Sequence, residues 1–215
     1  MNSSNILNLP FKKSIFSTAL LPTVEYMSLM LNADEIILEQ FESFQKQNNR
    51  SRFHILSPNG LQTLHIPLKY CKANTLITDV EIDYKTNWQR LHWRSIEAAY
   101  NRSPFFEFYK DAYEVVFFKQ EKFLFKYNLN LLRWLLKTLK QNQEIHFTVD
   151  YDKVIDHAND FRGLSNSKNN KIIFRDYYKA EKYQQVFSHK LPFQENLSCI
   201  DLLFNTGNAA IEYLR

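Results

Sequence analysis

The chain has 215 residues, 45% of them hydrophobic and 15% aromatic, and 27 Lys and Arg against 23 Asp and Glu give a net charge of +4. That is enough apolar length for the core of one domain, which excludes a disordered chain. The mild charge falls short of the concentrated basic surface of a dedicated nucleic-acid binder. Its three glycines, Gly60, Gly163 and Gly207, lie too far apart to form a phosphate-cradling loop or a dinucleotide-binding fingerprint. Cys71 and Cys199 read as free buried thiols in a reducing compartment. The opening MNSSNILNLPFKKSIFSTALLP lacks the charged start, long apolar run and small-residue cleavage site of a leader, so the expected location is cytoplasmic.

In chain order, Ser14 to Leu20 predicts a first strand, and Leu21-Pro22 a switch into helix, with Pro22 in the first turn where its missing N–H costs nothing. Val24, Met27, Leu29, Met30 and Leu31 continue at helical spacing to about Asn32, and Ala33 to Leu38 returns as strand. The result is a βαβ-like opening. Its second strand ends at Glu39, where a polar loop begins that carries Glu42, Lys46, Arg50 and Arg52 between Phe41, Phe44 and Phe53. Phe53, Ile55, Leu64 and Ile66 flank Asn59-Gly60, a pair that tolerates positive φ and favours a hairpin turn. A charged loop leaving a strand end and held by rigid elements is the usual place for a binding site in an α/β fold.

The runs FSTALLPTVEY and LNADEIILEQFESFQKQNNRSRFHILSPNGLQTLHIPL resemble the N-terminal signature of the WbqC-like family, which in many members opens HQPxYLPxxGY. Leu21-Pro22, Tyr26, Ala33-Asp34, Glu39, Lys46, Asn49-Arg50, Arg52, Asn59-Gly60 and Pro67 fall in step with it. YQQVF, Tyr183 to Phe187, and NLSCIDLLFNTG, Asn196 to Gly207, extend the likeness over nearly the whole chain, especially to the family's Bacteroidetes-like branch. Ser17-Thr18-Ala19 stands where the broader family has His-Gln-Pro. The resemblance implies a role in surface-polysaccharide (O-antigen) biosynthesis, with transfer of glycine or another acyl group onto a sugar.

Further on, Asp79 to Tyr84 alternates strictly, and a strand would set Asp79, Glu81 and Asp83 on a solvated face with Val80, Ile82 and Tyr84 behind. Thr86-Asn87-Trp88-Gln89 reads as a capping box opening a helix. On that helix Arg90, Arg94, Glu97 and Asn101 line a polar strip beside His92, either an anion-binding face or an Arg94–Glu97 surface pair. Ser103-Pro104 starts another helix, and a long one spans about Glu121 to Lys140. Lys126, Asn130, Arg133 and Lys137 interrupt the latter before the roughly 20 apolar residues a bilayer needs, so it belongs to the core.

Phe147-Thr148-Val149 is a short strand candidate, and Asp156 to Asn170 a turn-rich loop or mobile lid holding His157, Asp160, Arg162 and Lys168, with Lys171 and Arg175 following. Ile172-Ile173-Phe174 and Tyr183 to Phe187 are short elements. Ser198 caps a closing helix with Asp201 as its boxed acid, Gly207 ends it, and Asn208 caps a last helix to Arg215. The six histidines show no metal-ligand spacing, and no GxSxG elbow occurs.

These readings give one α/β domain over residues 1–215, a mixed β-sheet with flanking helices, for which no cofactor is indicated. Glu39 is the candidate general base. Lys46, Asn49, Arg50 and Arg52 are the candidate substrate-binding residues, with His92 or Arg94 stabilising charge across the cleft. The expected partner is an anionic small molecule, a nucleotide-sugar or an activated acyl donor. The alternative is a non-catalytic binding or scaffold protein of cell-envelope biogenesis that uses the same loop. RNA binding is a weaker third reading.

Overall fold

A computed structural model of the chain describes residues 12–72, 74–166 and 171–215, in which strands and helices alternate as an α/β fold. Strand β1 (Lys13–Ser17) leads through helix α1 (Val24–Leu31) to strand β2 (Glu35–Glu39), paired parallel to β1 with Lys13 opposite Glu35 and Ser17 opposite Glu39. Two later strands complete the sheet, β5 (Ile145–Phe147) beside β2 and β6 (Asn159–Asp160) beside β1, both parallel, in the order β5-β2-β1-β6. Ser14 to Ser17 of β1 are all buried, as expected for a parallel strand covered on both faces. Every residue of α1 is buried too, so this helix lies inside the domain. Thr23 caps it, accepting from the Tyr26 N–H at 3.3 Å.

A second layer is the antiparallel hairpin of β3 (Arg52–Ser57) and β4 (Gly60–His65), flanked by helices α2 (Trp88–Tyr100), α3 (Phe106–Phe117) and α4 (Leu124–Thr138). Phe53, Ile55 and Leu64 turn one hairpin face into the main core, where Trp93, Tyr113, Phe117 and Phe204 stack ring against ring. Helices α5 (Cys199–Thr206) and α6 (Ala210–Leu214) pack against α1. No helix among the described residues is long and apolar enough to cross a membrane, and α4 is a core helix with Leu131 and Leu135 fully buried.

Several elements differ from their sequence reading. Pro22 lies outside α1, and the preceding Leu21 takes φ 45°. The hairpin loop is Pro58-Asn59, because Ser57 pairs with Gly60, and of the expected Asn59-Gly60 turn pair only Gly60, the first residue of β4, uses positive φ, at 104°. Asp79 to Tyr84 is not a strand: a 3-10 turn covers Ile77–Asp79, and isolated bridges tie Glu81 to Phe123 and Leu68 to Ile82. Its alternation still describes burial, since Val80 and Ile82 face the core while Glu81 pairs outward with Lys69 and Lys122.

The Thr86 box does not form, as Asn87 is the cap and the Gln89 amide instead donates to the Phe117 carbonyl at 2.7 Å. Ser103 bonds back to the Tyr100 carbonyl, and α3 begins beyond Pro104. Glu97 pairs with Lys110 at 3.1 Å, not with Arg94. β5 ends at Phe147, leaving Val149 exposed. The expected loop at 156–170 contains β6 and a 3-10 turn at Arg162–Asn166, while Lys168 lies outside the described residues. Ile172 to Phe174 forms no strand, because the Glu25 carboxylate takes the Ile173 and Phe174 N–H groups that a neighbouring strand would have bonded.

Candidate functional site

The chain runs outward from β1 through β2 to β5, then crosses back to β6 on the other side of β1. In open parallel sheets, ligands bind at the carboxyl ends of the strands beside such a reversal. Here those ends carry Ser17, Glu39, Thr148 and Asp160, and the segments that follow bring in Glu42, Arg50 and Arg162.

Most of these groups are committed to one another. Arg50 donates from Nε to Glu42 Oε1 at 2.7 Å, from Nη2 to Glu42 Oε2 and to Ser17 Oγ at 2.9 Å, and from Nη1 to Asn166 Oδ1 at 3.0 Å. It is 2% exposed. Glu39 is fully buried: Oε1 accepts from the Phe41 N–H at 2.7 Å and from Thr148 Oγ1 at 2.9 Å, and Oε2 meets Arg162 Nη1 at 3.5 Å. Arg162 grips Asp160 bidentately, at 2.9 and 2.7 Å, beneath the Tyr151 ring. Those bonds raise the Arg162 pKa. Burial pushes the Asp160 carboxyl upward, but the Arg162 bonds and charge outweigh it and hold Asp160 below its ordinary value.

Beside this frame lies a narrow crevice walled by Leu20, Leu21, Pro22, Phe53 and Leu164 and by the polar Thr23 and Tyr26, which Asn49 and Arg52 also line. Its volume of about 10 Å³ holds a single water-sized group. Asn49 is held by its backbone, which donates to the Ser165 carbonyl and accepts from the Leu20 N–H, each at 2.8 Å. Its side chain is 4% exposed, yet neither Nδ2 nor Oδ1 has a hydrogen-bond partner among the described residues. Buried Arg52 Nε, Asn48 Nδ2 and His54 Nε2 are likewise without one. His54 shares a β3 face with Arg52, its Nδ1 lies 3.0 Å from Thr63 Oγ1, and burial followed by the Arg52 charge lowers its pKa.

The remaining predicted residues sit apart. His92 stands on α2 between the Trp88 and Phe53 rings, 5.3 and 6.3 Å away by ring centroid. Burial, helped by nearby His65, pulls its pKa down to about 4, so the ring is neutral. Arg94 is exposed on α2, and Lys46 is exposed on the loop, its charge felt by the Cys71 thiol. Asn49 and Arg52 thus meet at one crevice and Glu39 and Arg50 in the adjoining frame, whereas Lys46, His92 and Arg94 join neither. Sequence reasoning assigned no site role to Ser17, Asn48 or His54. The Ser17–Glu39 register of two parallel strands was the available signal for the first, since it sets both side chains at one sheet edge.

Both cysteines are free, and burial pushes the Cys199 thiol up to about 12, which makes it unreactive. Among the described residues no three His, Cys, Asp or Glu side chains are grouped so as to hold a metal ion. A larger groove of about 400 Å³, between Pro58, the end of α2 and Val186 to Lys190, contains none of the predicted site residues.

Fold and site together define a compact α/β protein with a polar cluster at the carboxyl edge of a short parallel sheet. The sequence pattern of the WbqC-like protein family matches residues 18–167 and 163–213, and the chain belongs to that family. It is also similar to the uncharacterized protein Rv1507c of Mycobacterium tuberculosis (strain ATCC 25618 / H37Rv), 23% identical over 229 positions that cover 95% of this chain and 97% of that protein. No solved structure matches the chain significantly.

Proposed function

We propose that the protein is an acyl or aminoacyl transferase acting on a sugar or nucleotide-sugar in the biosynthesis of surface polysaccharide such as O-antigen. The observation that carries this reading is the convergence of Ser17, Glu39, Arg50 and Arg162 at the strand ends beside a crevice with uncommitted polar atoms. The reaction class is the one that the resemblance to this family implies, and it stands here as our reading. In this assignment Arg52 and Asn49 hold the anionic part of the substrate and Lys46 draws it in. Arg50 and Glu39 position the frame, because their bonds to Glu42, Thr148 and Arg162 leave neither open to solvent. For Glu39 to act as general base, its contacts with Thr148 and Arg162 must first open. Arg94 contributes charge only from outside the crevice, and His92, neutral between its rings, contributes none. We place the chain in the Bacteroidetes-like branch on its YQQVF and NLSCIDLLFNTG segments, and in the cytoplasm on its two free thiols.

One observation favours the non-catalytic alternative: the carboxylates of the frame are all occupied. The test incubates purified protein with nucleotide-sugars and acyl-thioester or aminoacyl donors and follows the mass of the sugar. A donor-dependent mass gain, lost in a folded Arg52→Ala variant, supports transfer. Saturable nucleotide-sugar binding without turnover across the donors supports the binding protein.

A further inference from the structure

The buried polar atoms without partners are not spread evenly. Five of them, Asn48 Nδ2, Asn49 Nδ2, Asn49 Oδ1, Arg52 Nε and His54 Nε2, fall within residues 48–54, where the chain turns into β3. Each such group costs free energy unless something bonds to it, and native folds keep few of them. Here the two residues that line a crevice each carry one or more.

The inventory gives the chemistry of the occupant. Of the unpartnered atoms on the two crevice residues, Asn49 Nδ2 and Arg52 Nε can only donate and Asn49 Oδ1 only accepts, so the site offers two donors to one acceptor and carries one fixed positive charge. The first N–H groups of α1 do not add to it, since Val24 N donates to the Leu197 carbonyl, Glu25 N to Asn196 Oδ1 and Tyr26 N to Thr23 Oγ1. Arg50 is neutralised by Glu42. One cation against one water-sized space suits a planar monoanion whose oxygen enters end-on. A tetrahedral dianion carries a second charge with no second cation to meet it and further oxygens for which a space of that size has no room.

We infer that the Asn49–Arg52 crevice is a carboxylate-binding subsite. One carboxylate oxygen takes the Arg52 Nε–H and the Asn49 amide N–H, and Asn49 Oδ1 accepts from a donor that accompanies the ligand. The inference rests on the proposed function only in taking this crevice as that site, and its test needs no turnover.

Sodium formate and sodium acetate are titrated into the ¹⁵N-labelled protein at constant ionic strength, with sodium sulfate as the tetrahedral comparison. The Asn49 side-chain amide and Arg52 Nε–H resonances are followed together with the melting temperature. The expected result is saturable movement of both resonances with formate and acetate, and a rise of about 3–5 °C at ten times the Kd. Sulfate leaves them in place, and Arg52→Met, which keeps the buried stem, abolishes the response. Because Arg52 is partly exposed, that variant folds even if Asn49→Ala does not. No saturable movement, an equal response to sulfate, or a response that survives Arg52→Met overturns the inference. Carboxylate binding without sugar modification sinks the transferase and leaves the subsite standing, and modification without carboxylate binding does the reverse.

Discussion

Arg50 and Glu42 form an ion pair sealed from solvent, their side chains 2% and 8% exposed, joined through two guanidinium nitrogens, with Nε at 2.7 Å from Oε1. A third nitrogen reaches Asn166, and the Arg50 backbone carbonyl accepts from Asn128 of α4 at 2.8 Å. This pair therefore locks the loop between β2 and β3 onto β1, α4 and the 3-10 turn. Removing one partner strands the other charge in a dry interior, so Glu42→Gln and Arg50→Met should each lose about 3–5 kcal/mol, more than the double variant loses beyond either single one. A double-mutant cycle by urea unfolding measures the coupling. Additive losses would show that the two charges act independently.

His92 gives the protein an acid sensitivity whose sign is determined by its burial. Its folded pKa, about 4, lies below the ordinary 6.5, so the unfolded chain binds the proton first as pH falls. The stability held above pH 6.5 is lost between about pH 6.5 and 4, by ~3.4 kcal/mol at most. In His92→Gln that part of the slope should vanish. Unfolding free energies of both proteins at pH 7 and pH 5 test this, and an unchanged slope would move the proton uptake to another group.

How far the fold could be read from the sequence depended on where periodicity governs. α1, β2, the hairpin and α4 were legible because apolar spacing and a turn dipeptide mark them. The site was half legible. Asn49 and Arg52 lie where a charged loop leaves a strand end, but Glu39, Glu42 and Arg50 have the polarity of a solvated loop and are nevertheless buried. What buries them is pairing with Ser17, Thr148, Arg162 and Asn166, most of them over a hundred positions away, and nothing local encodes such partners. The Glu25 carboxylate in place of a strand at Ile173 and Phe174 is illegible for the same reason.

Asp201 opposes His92. It was read as a helix-capping acid, but its carboxylate accepts from Tyr183 Oη at 2.7 Å and Tyr100 Oη at 2.9 Å, with Gln185 and Asn205 behind. Burial raises its pKa to about 6, and the four hydrogen bonds only partly offset that. A raised carboxyl contributes stability that is complete below the unfolded value near 4 and lost as pH rises through about 6, here ~3 kcal/mol at most. Asp201→Asn keeps an acceptor and removes the charge, so relative to the natural protein it should gain stability from pH 5 to pH 8. A constant difference across that range would mean that Asp201 is ionised throughout.

Gly207 closes α5 at φ 61°, and a Cβ built there would lie 2.6 Å from a carbon of the Phe105 ring. Two penalties therefore meet at one position. Positive φ strains any L side chain, and the ring, which packs where the Phe105 N–H donates to the Phe204 carbonyl at 3.0 Å, must also swing aside. Gly207→Ala should cost about 2–3 kcal/mol. Phe105→Ala in the same chain relieves the clash but not the dihedral, so the added cost of Gly207→Ala in that background should fall to about 1 kcal/mol. Thermal unfolding of the four proteins separates the two. An identical cost in both backgrounds would assign the whole penalty to the backbone and none to the ring.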